Sequence, residues 1–299
     1  VGTLSLADGG GGGLAANYTL SSGTHLLTIN QKPVSITGTR TYNATAITLP
    51  TDLSIGGLVG GESLSLTGQG TIADQNVGTN KAVTLGTLAL ADNTGRALNY
   101  SLSSATFDVS QRPLNITATK AYDGNTSITS GSVTLSNLVG VETLTTSGNI
   151  STNSINSGSF STSDITISSL SLSDGTGTAS NYTLSGGTYS ATITQKTLGL
   201  SGSKVYDATT AANSSDLSLT GLVGSETLTL SGSGTLATSS VGTGKTITLN
   251  TLAISDGSGL ASNYDLSGAT TLDVTARPVT ASGSRVYDGT ATVNGTDLT

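Results

Sequence analysis

The chain has 299 residues, enough to bury a sizeable core, but 40 of them are Gly, only 4% are aromatic, and Cys, Met and Trp are absent. With no Cys and a single His, His25, the sequence excludes disulfides, thiol catalysis, Cys-based zinc sites and any two-histidine metal site. A net charge of −7, with the eleven Lys and Arg scattered singly, argues against a nucleic-acid partner or an anionic membrane surface, and no run approaches the roughly 18 apolar residues of a membrane helix.

The N-terminus also lacks a charged region followed by an apolar one, the pattern of an export signal. Because the sequence starts at Val1 rather than Met, it reads as a piece of a longer chain whose signal lies upstream. The absence of Cys suits an exported protein as well as a cytosolic one.

Self-similarity decides the architecture. In chain order, residues 1–31 hold a five-Gly run at 9–13, read as a loop insertion, and then Asn17-Tyr18 with Leu20 two residues on. The Asn-Tyr anchor returns as Asn99-Tyr100, Asn181-Tyr182 and Asn263-Tyr264, always after 82 residues. A second tyrosine recurs as Tyr42, Tyr122, Tyr206 and Tyr287, each two residues after a base: Arg40, Lys120, Lys204 and Arg285. Twenty residues beyond each of the first three stand Glu62, Glu142 and Glu226, each just behind a Leu-Val-Gly. Eight of the nine tyrosines fall on these two positions, leaving Tyr189 apart.

A basic residue at Lys32, Arg112, Lys196 and Arg277, usually within Gln-(Lys/Arg)-Pro, marks the boundaries. Residues 1–31 are then the tail of one repeat, 32–111, 112–195 and 196–276 are complete repeats, and 277–299 open another. The array is expected to continue in a longer parent, with Pro33, Pro113 and Pro278 stiffening the start of each unit.

Apolar residues alternate with Ser, Thr and Gly, as at Val34 and Ile36 or Leu64 and Leu66, with no sustained helical stripe. Each repeat is therefore expected to be an all-β module of about 80 residues, a sandwich or a grasp-like sheet, with a β-solenoid as the third option. A one-residue skip shared by Val83-Leu85-Leu88-Leu90 and its two counterparts predicts a bulge or a tight turn. Asp92-Asn-Thr-Gly, Asp174-Gly-Thr-Gly and Asp256-Gly-Ser-Gly read as repeated hairpin turns.

The (Lys/Arg)-x-Tyr-Asp-Gly-x-Thr signature, Val-Gly-Thr-Gly-Lys at 241–245 and the closing Asn-Tyr-x-Leu resemble the YDG-type repeats of filamentous-haemagglutinin-like bacterial surface adhesins. The Asp-Gly element departs from the pattern at Asn43 and Ala208. This resemblance implies a secreted, cell-surface or matrix-associated stalk, often exported by a partner transporter, and implies no catalytic residue.

Chemistry is scarce. His25 is unrepeated and sits on an expected strand, the carboxylates are sparse, and no phosphate-binding loop is present, so neither catalysis nor a cofactor is expected. A single carboxylate per Asp-Gly turn is too few for calcium, although Ca²⁺ held across a junction by two repeats stays open. A shared Lys–Asn crosslink is excluded by Arg40 and Arg285. Nine Asn-x-Ser/Thr sequons, Asn17, Asn43, Asn115, Asn149 and Asn213 among them, are mostly chance in so Ser/Thr-rich a chain. The tyrosines are expected to supply core bulk, each hydroxyl bonded to nearby backbone, with sugar stacking as the functional alternative.

The recurring bases, glutamates and aspartates are expected to form salt bridges or capped turns. Expected partners are other repeats of the same chain, with self-association into fibres and a polysaccharide or cell-surface ligand as further possibilities. The expected role is a stalk or fibre segment at a bacterial surface or in a biofilm matrix, against the alternative of a multivalent binding module.

Overall fold

The computed structural model describes residues 3–21 and 24–299. Among them the regular structure is β-strand and short 3-10 turns, and no helix is long and apolar enough to cross a membrane. The fold is all-β, divided into two compact units, Val1–Gln111 and Arg112–Thr299.

In the first unit, strand Lys32–Thr41 follows the period-two pattern. Val34 and Ile36 are buried while Ser35 and Thr37 are exposed, because alternate side chains face opposite sides of a strand. It is the fifth strand of a six-stranded sheet of order Ile47–Thr48, Gly70–Ile72, Gly78–Thr84, Tyr100–Ser110, Lys32–Thr41, Leu53–Gly56. The first and last long strands of the repeat pair in parallel, Lys32 opposite Tyr100 and Thr41 opposite Ser110, and the other ladders of this sheet are antiparallel. A bulge between Val34 and Ser35 is held by the Ser103 hydroxyl, which donates to the Val34 carbonyl at 2.9 Å. Leu64–Thr67 and Ala89–Asp92 form a separate two-stranded ladder.

The second unit repeats this plan. Gly199–Val205 and Thr271–Thr275 pair in parallel within a six-stranded sheet of the same order. In the repeat before it, Asn115–Ala121 and Tyr189–Thr194 form the parallel pair. Separate apolar cores surround Ile116, Ile128 and Ile150 in one repeat and Leu200, Leu236 and Leu272 in the next. Antiparallel ladders of this kind are not the rungs of a solenoid.

One local expectation is resolved between its two options, and two change. The shared one-residue skip is a tight turn: Gly78–Thr84 ends, the Leu88 N–H closes on the Leu85 carbonyl at 2.7 Å, and the chain moves to another sheet. Gly86 there has φ +55°, a left-handed conformation that glycine adopts without strain.

The Asp-Gly segments are not hairpin turns, since Ala89–Asp92 pairs with Leu64–Thr67 whereas Tyr100–Ser110 pairs with two other strands. They are links between sheets, stabilised by the Asp92 carboxylate accepting the Ala97 N–H at 2.7 Å at the start of a 3-10 turn. Asp174 and Asp256 do the same for Ala179 and Ala261.

His25 lies on no strand. The closing strand of every complete repeat is held by the opening strand of that same repeat, and residues 24–31 have no such partner among the described residues. The His25 ring is exposed and its Nε2 is bonded to the Leu20 carbonyl at 2.5 Å.

Candidate functional site: the tyrosine–glutamate junction

The parallel strand pair fixes where the repeated tyrosine goes. The N–H of Tyr42, Tyr122 and Tyr206 donates to the carbonyl of Ser110, Thr194 and Thr275, which tethers each tyrosine at the end of its repeat's closing strand. Thr194 is followed directly by Gln195 and Lys196, so Tyr122 stands where the next repeat begins.

The loop carrying the tyrosine is clamped by the base before it. Lys204 Nζ donates to the carbonyls of Thr209 at 3.0 Å and Ala211 at 2.7 Å and pairs with Asp207 at 3.0 Å. Lys120 makes the same set with Asn125, Ser127 and Asp123. Asp207 also accepts the Thr209 N–H at 2.9 Å. This bond, with those from Lys204 and the Thr209 hydroxyl, holds its carboxyl at about 2, below the usual 3.8. At Asn43 the side chain keeps the local bond, to the Thr45 N–H, but has no charge to offer. Arg40 still bonds the carbonyls of Thr45 and Ile47, takes Asp52 as its ionic partner at 3.7 Å, and lies over the Phe107 ring at 5.2 Å. Arg285 pairs with Asp288 at 2.8 Å.

The repeated bases therefore pair with aspartates three or twelve residues on, while the glutamates serve the tyrosines. Within each complete repeat the Asn-Tyr tyrosine donates to the glutamate: Tyr100 to Glu62, Tyr182 to Glu142 and Tyr264 to Glu226. The same hydroxyls accept the N–H of Val59, Val139 and Val223 at 3.2, 3.0 and 3.0 Å. Expecting backbone partners alone captured half of this arrangement.

Between the second and third complete repeats, Glu226 becomes a shared acceptor. Tyr264 of its own repeat donates to Oε2 at 2.5 Å, and Tyr122 of the preceding repeat donates to Oε1 at 2.6 Å. The two rings meet edge to face, 5.4 Å between centroids and 78° between planes, within the favoured range for an aromatic pair. Ile193 and Leu198 complete a core that spans the two repeats.

Burial and the Glu226 bond push the Tyr122 hydroxyl up to about 12, and the same causes raise Tyr264. At the rim, Asn263 accepts the Ser157 N–H at 2.8 Å and donates to Asn156 at 2.9 Å, while the Ser157 hydroxyl donates to the Ser262 carbonyl at 2.7 Å.

Two features of the junction went unread in the sequence. The last glycine of each Asp-x-x-Gly, at Gly95, Gly177 and Gly259, lies against the glutamate, so a β-carbon would come within 2.8, 2.7 and 2.5 Å of its Oε2. Gly124 of the Tyr-Asp-Gly lies against Val223 of the next repeat, with a β-carbon 3.2 Å from Cγ1. A fixed place four residues before the Asn-Tyr anchor was the available signal for the first, and none pointed to the second.

Tyr42, Tyr122, Tyr100, Tyr182 and Tyr264 are all at most 4% exposed and offer no face for stacking on a sugar. Tyr18, Tyr206 and Tyr287 are exposed, at 68%, 37% and 89%. Among the described residues no three His, Cys, Asp or Glu side chains gather as a metal site. The site joins two folded repeats through hydrogen bonds to one carboxylate and an aromatic pair.

No curated protein and no solved structure matches the chain. The YDG domain family matches residues 27–107, 110–194 and 189–272, and the chain belongs to that family as three tandem copies.

Proposed function

We propose that the chain is a stalk or fibre segment of a secreted bacterial adhesin or biofilm-matrix protein, acting by reach and mechanical continuity. The observation that carries this reading is the parallel pairing of the first and last strands in every complete repeat. Lys32 pairs with Tyr100 and Thr41 with Ser110, so the chain enters at one end of the ladder and leaves at the other. Tension on the two ends slides these strands past each other and loads all the ladder bonds together, whereas a hairpin arrangement opens one bond at a time.

The Tyr122–Glu226–Tyr264 joint supports the same reading, since it ties one repeat to the next by charge-assisted bonds in a buried core. The parallel pairing of first and last strands also favours the grasp-like over the sandwich option for each module.

Single-molecule pulling on the two ends tests the proposal. It predicts discrete, high-force events, each releasing one repeat, about 80 residues at roughly 3.4 Å per residue. The control pulls one repeat through an antiparallel neighbouring pair, such as Gly199–Val205 and Leu217–Thr220, where bonds open in turn. Equal, low forces in the two geometries would overturn a load-bearing role and return weight to a multivalent polysaccharide- or cell-surface-binding module.

A further inference from the structure

We propose that Tyr122 and Tyr264 form an oxidative crosslinking site, at which a one-electron oxidant joins the two rings as dityrosine and welds the second complete repeat to the third. The chemistry does not depend on the stalk reading above, and its test reads a covalent bond, not a force.

Composition decides which side chains are oxidised. Cys and Met ordinarily react first and Trp competes for electron loss, and the chain has none of the three. Its nine tyrosines are therefore the most readily oxidised side chains it carries.

Geometry decides which tyrosines couple. The Tyr122 and Tyr264 rings meet edge to face with centroids 5.4 Å apart. Both hydroxyls donate to the one Glu226 carboxylate, at 2.6 and 2.5 Å. That shared acceptor gathers the hydroxyl ends of the two rings, and with them the carbons ortho to each hydroxyl, between which dityrosine forms. Glu226 serves a second purpose, since a phenol loses an electron more easily when a base within hydrogen-bond reach takes its proton. Burial of the rings, to 1% and 2% exposure, keeps dissolved quenchers from the first radical until the second forms. It does not prevent oxidation, because an electron can leave through the packed protein without contact between ring and oxidant.

Each phenol gives one electron to the oxidant and one proton to Glu226, which passes the two protons to water in turn. The two phenoxyl radicals then pair their unpaired electrons in a carbon–carbon bond between ortho positions, the rings turning from their 78° crossing as it forms. The hydrogens on the bonded carbons move to the oxygens and restore two phenols. With hydrogen peroxide as the final electron acceptor, two tyrosines and one peroxide give one dityrosine and two waters. The bond closes residues 122–264 into a loop, which constrains the unfolded chain and makes the joint permanent.

Oxidation of the full chain with photo-generated tris(bipyridine)ruthenium(III) and persulfate, followed by protease digestion and mass spectrometry, tests this. Dilute solution suppresses coupling between chains through Tyr18, Tyr206 and Tyr287, which are 68%, 37% and 89% exposed. The expected product is a monomeric chain lighter by two hydrogen atoms, with dityrosine fluorescence and the peptides of Tyr122 and Tyr264 linked. Tyr122→Phe and Tyr264→Phe are each expected to abolish that link, and Tyr206→Phe to leave its yield unchanged, with circular dichroism confirming the fold.

Recovery of Tyr122 and Tyr264 unlinked from chains whose exposed tyrosines have been oxidised overturns the proposal. So does a yield of dityrosine within the chain that both phenylalanine variants at the joint leave unchanged. Either result leaves the pulling test untouched, so failure of the crosslink and failure of the stalk reading are separately visible.

Discussion

Gly259 lies directly over Glu226, where a β-carbon would stand only 2.5 Å from the carboxylate's Oε2. Glu226 is held there to receive Tyr264 and Tyr122, so the glycine acts on the joint through the glutamate. Gly259→Ala is expected to destabilise the 112–276 region by about 1–3 kcal/mol, because the methyl displaces the glutamate. Gly131→Ala, where nothing lies near the new methyl and φ is ordinary, is expected to be neutral or slightly stabilising. Urea unfolding of the two variants checks the contrast.

Alkaline pH is expected to loosen the same joint. The Tyr122 hydroxyl, normally near 10, is pushed up to about 12 by burial and by its bond to Glu226. A phenol with a raised folded value stabilises the fold in its neutral form, so this contribution is complete below pH 10 and is lost as the pH climbs to 12. Stability measured across that window should fall less steeply in Tyr122→Phe, and tyrosinate absorbance should show one late-ionising tyrosine fewer.

Lys204 holds the loop of the repeated tyrosine by two carbonyls and one carboxylate, while only 8% exposed. Lys204→Met leaves those carbonyls without their donor and is expected to cost about 1–3 kcal/mol. Little of that loss should come from the ion pair itself, because Asp207 is half exposed to solvent. The Asp207 carboxyl, now at about 2, is expected to rise toward but not reach 3.8, since the Thr209 N–H still binds it. Its folded value is depressed, so its contribution to stability is present above pH 4 and fades as the pH falls toward 2. Carboxyl-carbon NMR titration of the variant reads the shift directly.

The strands and the repeat were legible because they are written locally. Period-two apolar residues such as Val34 and Ile36 specify a buried strand face, and the constant 20-residue step from Tyr42 to Glu62, with the 82-residue step of the Asn-Tyr anchor, marks one unit. Strand order was not legible, because Ser and Thr between the apolar positions suit any neighbour and nothing local tells Lys32–Thr41 to pair with Tyr100–Ser110, some 70 residues away. The Asp92 segment read as a hairpin for a related reason. Asp and Gly specify a reversal but not whether the outgoing strand returns to the same ladder. At the candidate site, the anchors were all visible and their pairing was not. The expected salt bridges or capped turns left the partners of base, glutamate and aspartate open, and the short loop gives each lysine an aspartate three residues away and leaves Glu226 to hydroxyls 38 and 104 residues distant.

Equivalent tyrosines should differ according to what covers them. Tyr122→Ala removes a ring at 1% exposure from the core shared by two repeats and is expected to cost about 3–5 kcal/mol. Tyr206→Ala, at 37% exposure, is expected to cost roughly 1 kcal/mol or less in dilute solution. Thermal unfolding of the two variants, at concentrations below any association, checks this difference.

The central claim, that the second complete repeat is bonded into the third through Tyr122 and Glu226, is tested most directly by a double-mutant cycle on those two residues. Stability is measured for the unsubstituted chain, Tyr122→Phe, Glu226→Gln and the double variant. The account predicts a coupling energy of about 0.5–3 kcal/mol, as for residues in direct contact within one network. A coupling within about 0.3 kcal/mol of zero would contradict it, because additive losses would mean that Tyr122 and Glu226 each stabilise only their own repeat.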